Sequence, residues 1–352
     1  MFASNCWYVA ATSGEVSGEA PHACELAGLH LVLYRKLDGQ PVAMDNQCAH
    51  RLAPLSLGRI EGNNLRCMYH GICFDERGDC IDAPGLRAPP KSLRQKSYPA
   101  VEQNGWIWHG EAELADIGLL PSTAALDPEH WHVRYGDLHL ATDYQLVNDN
   151  LCDLSHSAYV HRATFGQFGE DQWVVNPVKT TPIDRGVRVE PWIVDALPPS
   201  YLHQRVDSWV AYDYVLPGVF LMKVLFFEVG TAAEAEYQEP KAGAQCLHVT
   251  ASTQAVTPLS ADRSRYFFAS SIARSEPEEW VEGFHQLTQM AFAEDKAMLE
   301  AQQKMISQLE DPKLAATKND EAAVRFRRLI EQSASAVQPA PPRHGNQDIF
   351  IG

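Results

Sequence analysis

What this sequence does not contain narrows it first. No stretch approaches the ~18 consecutive apolar residues that a membrane-spanning helix requires. The longest apolar run, VLPGVFLMKVLFFEVG, is broken by Pro217, Gly218 and Lys223. The opening MFASNCWYVAATSGEVSGEA has neither a basic n-region nor a long apolar core, so no secretory signal is predicted and a cytoplasmic location is expected. Positive charge is scarce: 29 Lys and Arg stand against 45 Asp and Glu, a net charge of −16. Nucleic-acid binding wants clustered Lys and Arg, and anionic membranes attract the same charge, so neither partner is expected. No G-x-G-x-x-G follows a strand and no P-loop is present, so neither NADH nor flavin is expected to bind this chain. Internal repeats and low-complexity tracts are also lacking.

What is present fits an ordinary globular chain. Its 352 residues predict about two domains, and at that size neither disulfides nor a metal is needed merely to fold. The first ~125 residues read as short strands between turns: 29–36, 41–46, 64–70, 71–83 with a hairpin turn at Asp75–Gly78, and 105–110. Residues 119–130, with two prolines, read as a linker. The second part mixes strands (130–142, 186–194, 208–215, 219–229, 245–257, 264–274) with helices at 143–162, 276–311 and 319–333. Residues 338–347 read as an extended tail.

The eight cysteines, in a chain without a signal, read as thiols rather than a disulfide framework. Two of them stand apart. Cys48 and His50 form C-x-H; sixteen residues later Cys67 and His70 form C-x-x-H. A structural zinc site would use four such ligands around one ion. A Rieske [2Fe–2S] centre places two Cys on one iron and two His on the other. Mixed pairs suit the second arrangement, since each loop can send its Cys to one iron and its His to the other. Neutral imidazole in place of thiolate raises the potential to roughly −150 to +300 mV, which suits a one-electron relay.

A second constellation follows in NDNLCDLSHSAYVH: Asp153, His156 and His161 form D-x-x-H-x₄-H. Two imidazoles and one carboxylate on one face, with positions left open, define the facial triad of non-haem Fe(II) oxygenases. Asp153 and His156 share a helical face. His156 and His161 lie about 140° apart on a regular helix, so a π-bulge or a helix end is predicted between them. The carboxylate is then either Asp153 or a distant residue, and FAEDKAMLEAQQ offers Glu294 and Asp295.

These motifs, with NCWYVA, VTPLSADRSRYFFASSIAR and their order along the chain, resemble the α subunits of Rieske non-haem iron oxygenases. The likeness is to the branch of vanillate O-demethylase, dicamba monooxygenase and toluenesulfonate methyl-monooxygenase. It implies an α+β protein: an N-terminal all-β Rieske domain (residues 1–125), then a helix-grip catalytic domain (126–352) whose antiparallel sheet wraps a long C-terminal helix. It implies that Cys48, His50, Cys67 and His70 hold the [2Fe–2S] cluster, and that His156, His161 and Asp295 hold a mononuclear Fe(II). Asp153 would carry the electron from the neighbouring subunit's cluster to His156, and Asn148 would lie near the iron without binding it strongly. The assembly implied is a homotrimer. Its electrons would come from a separate NAD(P)H-dependent reductase of flavin and ferredoxin type, its oxidant would be O₂, and its substrate an aromatic acid. The expected reaction is O-demethylation or methyl hydroxylation. Ring hydroxylation is the alternative, and an electron-transfer Rieske protein without its own catalysis is a third reading. The pocket is expected between strands 208–229 and 264–272; Arg162 and His248 are read as structural.

Overall fold

Short runs bounded by Gly, Asn and Asp fold the first third of the chain into strands. The computed structural model describes residues 2–110, 116–168, 172, 178–198 and 203–335. The first eleven strands are β1 (Trp7–Thr12), β2 (His22–Leu26), β3 (Leu29–Arg35), β4 (Pro41–Asp45), β5 (Arg59–Glu61), β6 (Asn64–Arg66), β7 (Cys73–Phe74), β8 (Cys80–Asp82), β9 (Ser97–Tyr98), β10 (Ala100–Gln103) and β11 (Trp106–Gly110). They form three antiparallel sheets, in the orders β1-β11-β10, β2-β3-β4-β9 and β5-β6-β7-β8. The β7–β8 hairpin turns where expected: Gly78 takes φ +83° and its N–H donates to Asp75 O at 2.9 Å.

The predicted linker is packed rather than free. It holds two 3₁₀ turns, Ile117–Leu119 and Ala124–Leu126. Leu126 is fully buried in a cluster with Trp7, Trp106, Trp108 and Phe267. The two prolines marked a change of direction, not a loose tether.

The second part adds β12 (Trp131–Leu140), helix α1 (Tyr144–Cys152), β13 (Thr180–Ile183), β14 (Gly186–Val189), β15 (Trp192–Ala196), β16 (Val206–Val215), β17 (Val219–Phe227), the short helix α2 (Thr231–Glu234), β18 (His248–Pro258), β19 (Ser264–Ala273), the long helix α3 (Glu278–Ile306) and α4 (Glu321–Ser335). The strands make one eight-stranded antiparallel sheet in the order β12-β19-β18-β17-β16-β14-β13, with β15 on β16. Helix α3 packs against β12 and β19. Its buried face repeats at Val281, Phe284, Thr288, Ala291, Asp295 and Leu299, spacings of three and four that stack side chains on one stripe. One charged residue, Asp295, sits in that stripe.

The sheet's other face meets the first part of the chain. Strand β1 contacts β18, and Thr257 Oγ1 donates to Val9 O at 2.7 Å. Arg265 ties across with Glu15 and Asp137, both at 2.9 Å. Strands β18 and β19 are buried along nearly their full length, because both faces of the sheet are covered there.

Candidate active site and metal centre

The two Cys/His loops are built alike. In the β4–β5 connection the Cys48 N–H donates to Ala53 O and Cys48 O accepts from Leu52 N, both at 2.9 Å. In the β6–β7 connection Cys67 N–H donates to Ile72 O at 2.8 Å and Cys67 O accepts from Gly71 N at 3.0 Å. Each loop therefore closes over its Cys with the same pair of bonds, four and five residues on. Each also needs a left-handed residue at the fourth position: Leu52 has φ +58° and Gly71 φ +73°. Leucine pays steric strain there of about 1–2 kcal/mol, which the two loop bonds hold in place.

This geometry buries the thiols and presents the imidazoles. Cys48 and Cys67 are each 2% exposed, whereas His50 and His70 are exposed, with ring centroids 4.7 Å apart. Burial, with the neighbouring Cys67 thiol, pushes Cys48 up to about 11, so without a metal the Cys48 thiol stays protonated and with one it must release its proton. Two inner thiols and two outer imidazoles on paired loops are the donor set of a Rieske cluster. All eight cysteines are thiols without disulfide partners. Cys73, beside the second loop on β7, is buried and is likewise pushed up to about 11 by burial.

The second centre arises where a helix stops. Asp143 caps α1, its carboxylate accepting from Gln145 N at 2.9 Å. The helix ends at Cys152; Asp153 is extended, with φ −111° and ψ 96°. A 3₁₀ turn then runs Leu154–Ala158, with Asp153 Oδ1 accepting from Ser155 N at 2.8 Å. The break therefore precedes His156, rather than falling as a π-bulge between the histidines. With the regular helix gone, the five-residue spacing no longer splays the rings: His156 Nε2 and His161 Nε2 are 3.1 Å apart.

Helix α3 brings the carboxylate. Asp295 Oδ1 lies 3.5 Å from His156 Nε2 and Asp295 Oδ2 3.3 Å from His161 Nε2. Two ligands at about 2.1 Å from a metal and at right angles stand ~3.0 Å apart, so these separations fit one ion. Among the described residues His156, His161 and Asp295 are the group whose donor atoms converge in this way. Asp153 is not in it.

The rings are fixed from behind. His156 Nδ1 bonds the Asp153 carbonyl, and His161 Nδ1 bonds Glu294 Oε2 at 3.0 Å. Each bond places the proton on Nδ1 and leaves the Nε2 lone pair toward the centre. Glu294 is held in turn by Thr164 Oγ1 at 2.8 Å. Burial pulls His156 below its usual range, with Asp295 opposing. At His161 burial pulls the same way, but Asp295 and Glu294 together prevail and raise it.

The sequence reading placed Asn148 near the metal without binding it strongly, and the structure gives it no bond there. The Asn148 amide is 1% exposed, packs against Gly218, and makes no hydrogen bond to the triad. The residue that reaches in is Asn150, whose Nδ2 donates to Asp295 Oδ1 at 3.1 Å. Two residues apart on α1, their side chains point about 200° apart. The signal was available: Asn150 precedes Asp153 by the same three-residue step that separates Asp153 from His156.

A cavity of about 150 Å³ opens onto the triad, and His156, His161 and Asp295 are part of its wall. Alternate residues of three strands make the facing wall: Ser208, Val210 and Tyr212 on β16, Met222, Val224 and Phe226 on β17, and Thr250, Ser252 and Gln254 on β18. Leu151, Phe165, Phe284 and Phe292 close it. The expected wall at 208–229 is therefore present, but 264–272 is replaced by 250–254, because β19 lies under α3. Arg162 is exposed and off the cavity. His248 sits behind Phe226, its Nδ1 3.2 Å from Glu276 Oε1.

An all-β Cys/His module joined to a sheet-and-helix domain with a two-His, one-carboxylate centre defines a two-centre oxygenase. Known proteins agree. A sequence model described as the Rieske [2Fe-2S] domain matches residues 6–99, and one described as the vanillate O-demethylase oxygenase C-terminal domain matches residues 140–336. The chain is similar to the toluene-4-sulfonate monooxygenase system iron-sulfur subunit of Comamonas testosteroni, 33% identical over 96% of this chain and 98% of that one. It is 31% identical to the vanillate O-demethylase oxygenase subunit of Pseudomonas sp. (strain HR199 / DSM 7063), over 97% of each. The crystal structure of dicamba monooxygenase with non-heme iron and dicamba superposes with a TM-score of 0.75, at 27% identity, over 95% of this chain and 98% of that one. The chain belongs to the Rieske oxygenase α subunits of the vanillate O-demethylase type. It is an oxidoreductase, the oxygenase component of a system whose reductase is a separate protein. Among the described residues no helix is long and apolar enough to cross a membrane.

Proposed function

We propose that this chain oxidises a methyl carbon of a single-ring aromatic substrate, most simply an aryl methyl ether. The net change would be Ar–OCH₃ + O₂ + NADH + H⁺ → Ar–OH + HCHO + NAD⁺ + H₂O. The observation that carries the reading is the cavity whose wall includes His156, His161 and Asp295. An apolar cavity of this volume holds one benzene ring, and a ring seated there lies against the metal-binding side chains.

The geometry supports the following roles. Cys48, Cys67, His50 and His70 would hold the [2Fe–2S] cluster, and His156, His161 and Asp295 the Fe(II), which when bound supplies O₂ activation. Asn150 and Glu294 orient Asp295 and His161. The apolar wall excludes water and leaves the ring a narrow choice of poses. Asp153 would pass the electron from a partner's cluster. It is half-buried at the site's edge, and around the exposed His50 and His70 stand Leu52, Leu57, Met68 and Tyr69, all more than half exposed. Such a patch suits burial against a neighbouring subunit, here in a head-to-tail homotrimer. The division into a Rieske domain (1–125) and a catalytic domain (126–352), a reductase of flavin and ferredoxin type, and a cytoplasmic setting suited to eight reduced thiols complete the reading.

The test is turnover. Holoenzyme with a reductase and NADH, offered a panel of methoxyarenes, should consume O₂ and release formaldehyde in equal amounts. A cis-diol product without formaldehyde would replace demethylation with ring oxidation.

A further inference from the structure

The cavity wall has a polarity that the substrates named for the two relatives above do not forecast. Toluene-4-sulfonate and vanillate are anions, and an anion taken out of water needs a counter-charge or several strong donors. Among the described residues, no Lys or Arg lines this cavity, and its only histidines are His156 and His161. His248, a nearby basic side chain, stands behind Phe226 against Glu276. The whole chain, at −16, repels an approaching anion as well.

In place of a cation the wall carries a directed chain of neutral groups. Tyr212 O–H donates to Gln254 Oε1 at 2.8 Å, and Gln254 Nε2 donates to Ser252 Oγ at 2.9 Å. All three line the cavity, and Ser252 ends the chain with a hydroxyl proton to give. Thr250, the next residue on that face of β18, adds a second hydroxyl. Beside them on β17 run Met222, Val224 and Phe226. One polar rail beside one apolar stripe fits a ring bearing an uncharged oxygen acceptor, such as a carbonyl, amide or ether.

We propose that the substrate of this chain is an uncharged arene, oriented by Ser252 and Thr250, rather than an aromatic carboxylate or sulfonate. The proposal rests on the oxidative demethylation reading.

The test compares isosteric pairs on the reductase-supplied holoenzyme. Methoxybenzamides and methoxyacetophenones are set against methoxybenzoates and methoxybenzenesulfonates, ortho, meta and para, with formaldehyde as the readout. The uncharged members should show kcat/KM at least 100-fold above their charged partners. Equal or better use of the anions would overturn the proposal and leave demethylation intact. Formaldehyde from none of them, with a reducible cluster and bound iron, would overturn the demethylation reading and the proposal together. A second variant locates the recognition: Thr250→Lys should raise the benzoate-to-benzamide ratio of kcat/KM at least tenfold, and an unchanged ratio would overturn the assignment of the β18 rail.

Discussion

The tightest link between sequence and chemistry here is Glu294, which touches no metal and yet should govern metal affinity. Its Oε2 lies 3.0 Å from His161 Nδ1 and accepts the Thr164 hydroxyl at 2.8 Å. Removing such an outer partner typically costs 10–100-fold in metal affinity, about 1.4–2.7 kcal/mol at about 1.4 kcal/mol per tenfold. The Glu294 side chain is 28% exposed, so water can enter behind the ring and soften the loss. Glu294→Gln keeps an acceptor for His161 and loses only the charge, which sets the expected drop near tenfold. Glu294→Ala removes the acceptor and should fall toward the upper end. The assay is Fe(II) titration of the iron-depleted protein against a competing chelator, with the visible absorption of the [2Fe–2S] cluster as the internal control. If Glu294→Ala binds Fe(II) within twofold of the parent while the cluster is intact, the carboxylate does not orient His161 and the argument for the site's outer layer fails.

Two further predictions are independent of that residue. Asn150→Ala deprives the buried Asp295 carboxylate of a donor, a bond to a charged group worth about 1.5–3 kcal/mol, so Fe(II) affinity should fall tenfold or more. Asn148→Ala should change it less than twofold, and the reverse ranking would restore Asn148 to the metal's side. His109 on β11 is 2% exposed, and burial, with Lys96 adding to it, lowers it from 6.5 to about 4. The unfolded chain therefore binds the extra proton first, and stability falls as pH drops below about 6.5 until the folded ring also titrates near 4. That is about 2 kcal/mol at pH 5, taking about 1.4 kcal/mol per pH unit; His109→Phe should flatten the decline in Tm between pH 7 and pH 5.

The sequence was most readable where chemistry and spacing coincide. C-x-H with C-x-x-H admits few geometries, and the loops around Cys48 and Cys67 repeat one hydrogen-bond pattern although their Cys–His spacings differ by one residue. The acidic pair in α3 could be noticed, but its two members do separate jobs: Asp295 lies in the buried stripe and Glu294, a hundred degrees round the helix, meets the back of His161. What the sequence hid was orientation. Strands β5 to β9 are two or three residues long, too short to show a period of two. Strands β18 and β19 are covered on both faces, so no alternation of polar and apolar residues told which of them faces the cavity. Leu126 in the supposed linker gave no hint that Trp7 and Trp106 would enclose it.

The arrest of α1 at Cys152 explains why Asp153 can serve the site without joining the triad, and it separates two roles that one substitution would otherwise confuse. The backbone carbonyl of Asp153 bonds His156 Nδ1, while its side chain caps the 3₁₀ turn through Ser155 N. Asp153→Asn keeps both, since an amide oxygen caps nearly as well as a carboxylate, but it removes the charge proposed to relay the electron. Asp153→Ala removes the cap too, at about 1 kcal/mol, and loosens the turn that aims His156. The Asn variant should therefore bind Fe(II) as the parent does, reduce its cluster at the parent rate and lose turnover by 100-fold or more. The Ala variant should lose iron as well. Single-turnover product formation from the pre-reduced enzyme, measured beside iron affinity, separates the two: an Asn variant with parental turnover would assign Asp153 to the turn alone and move the electron path elsewhere in the assembly.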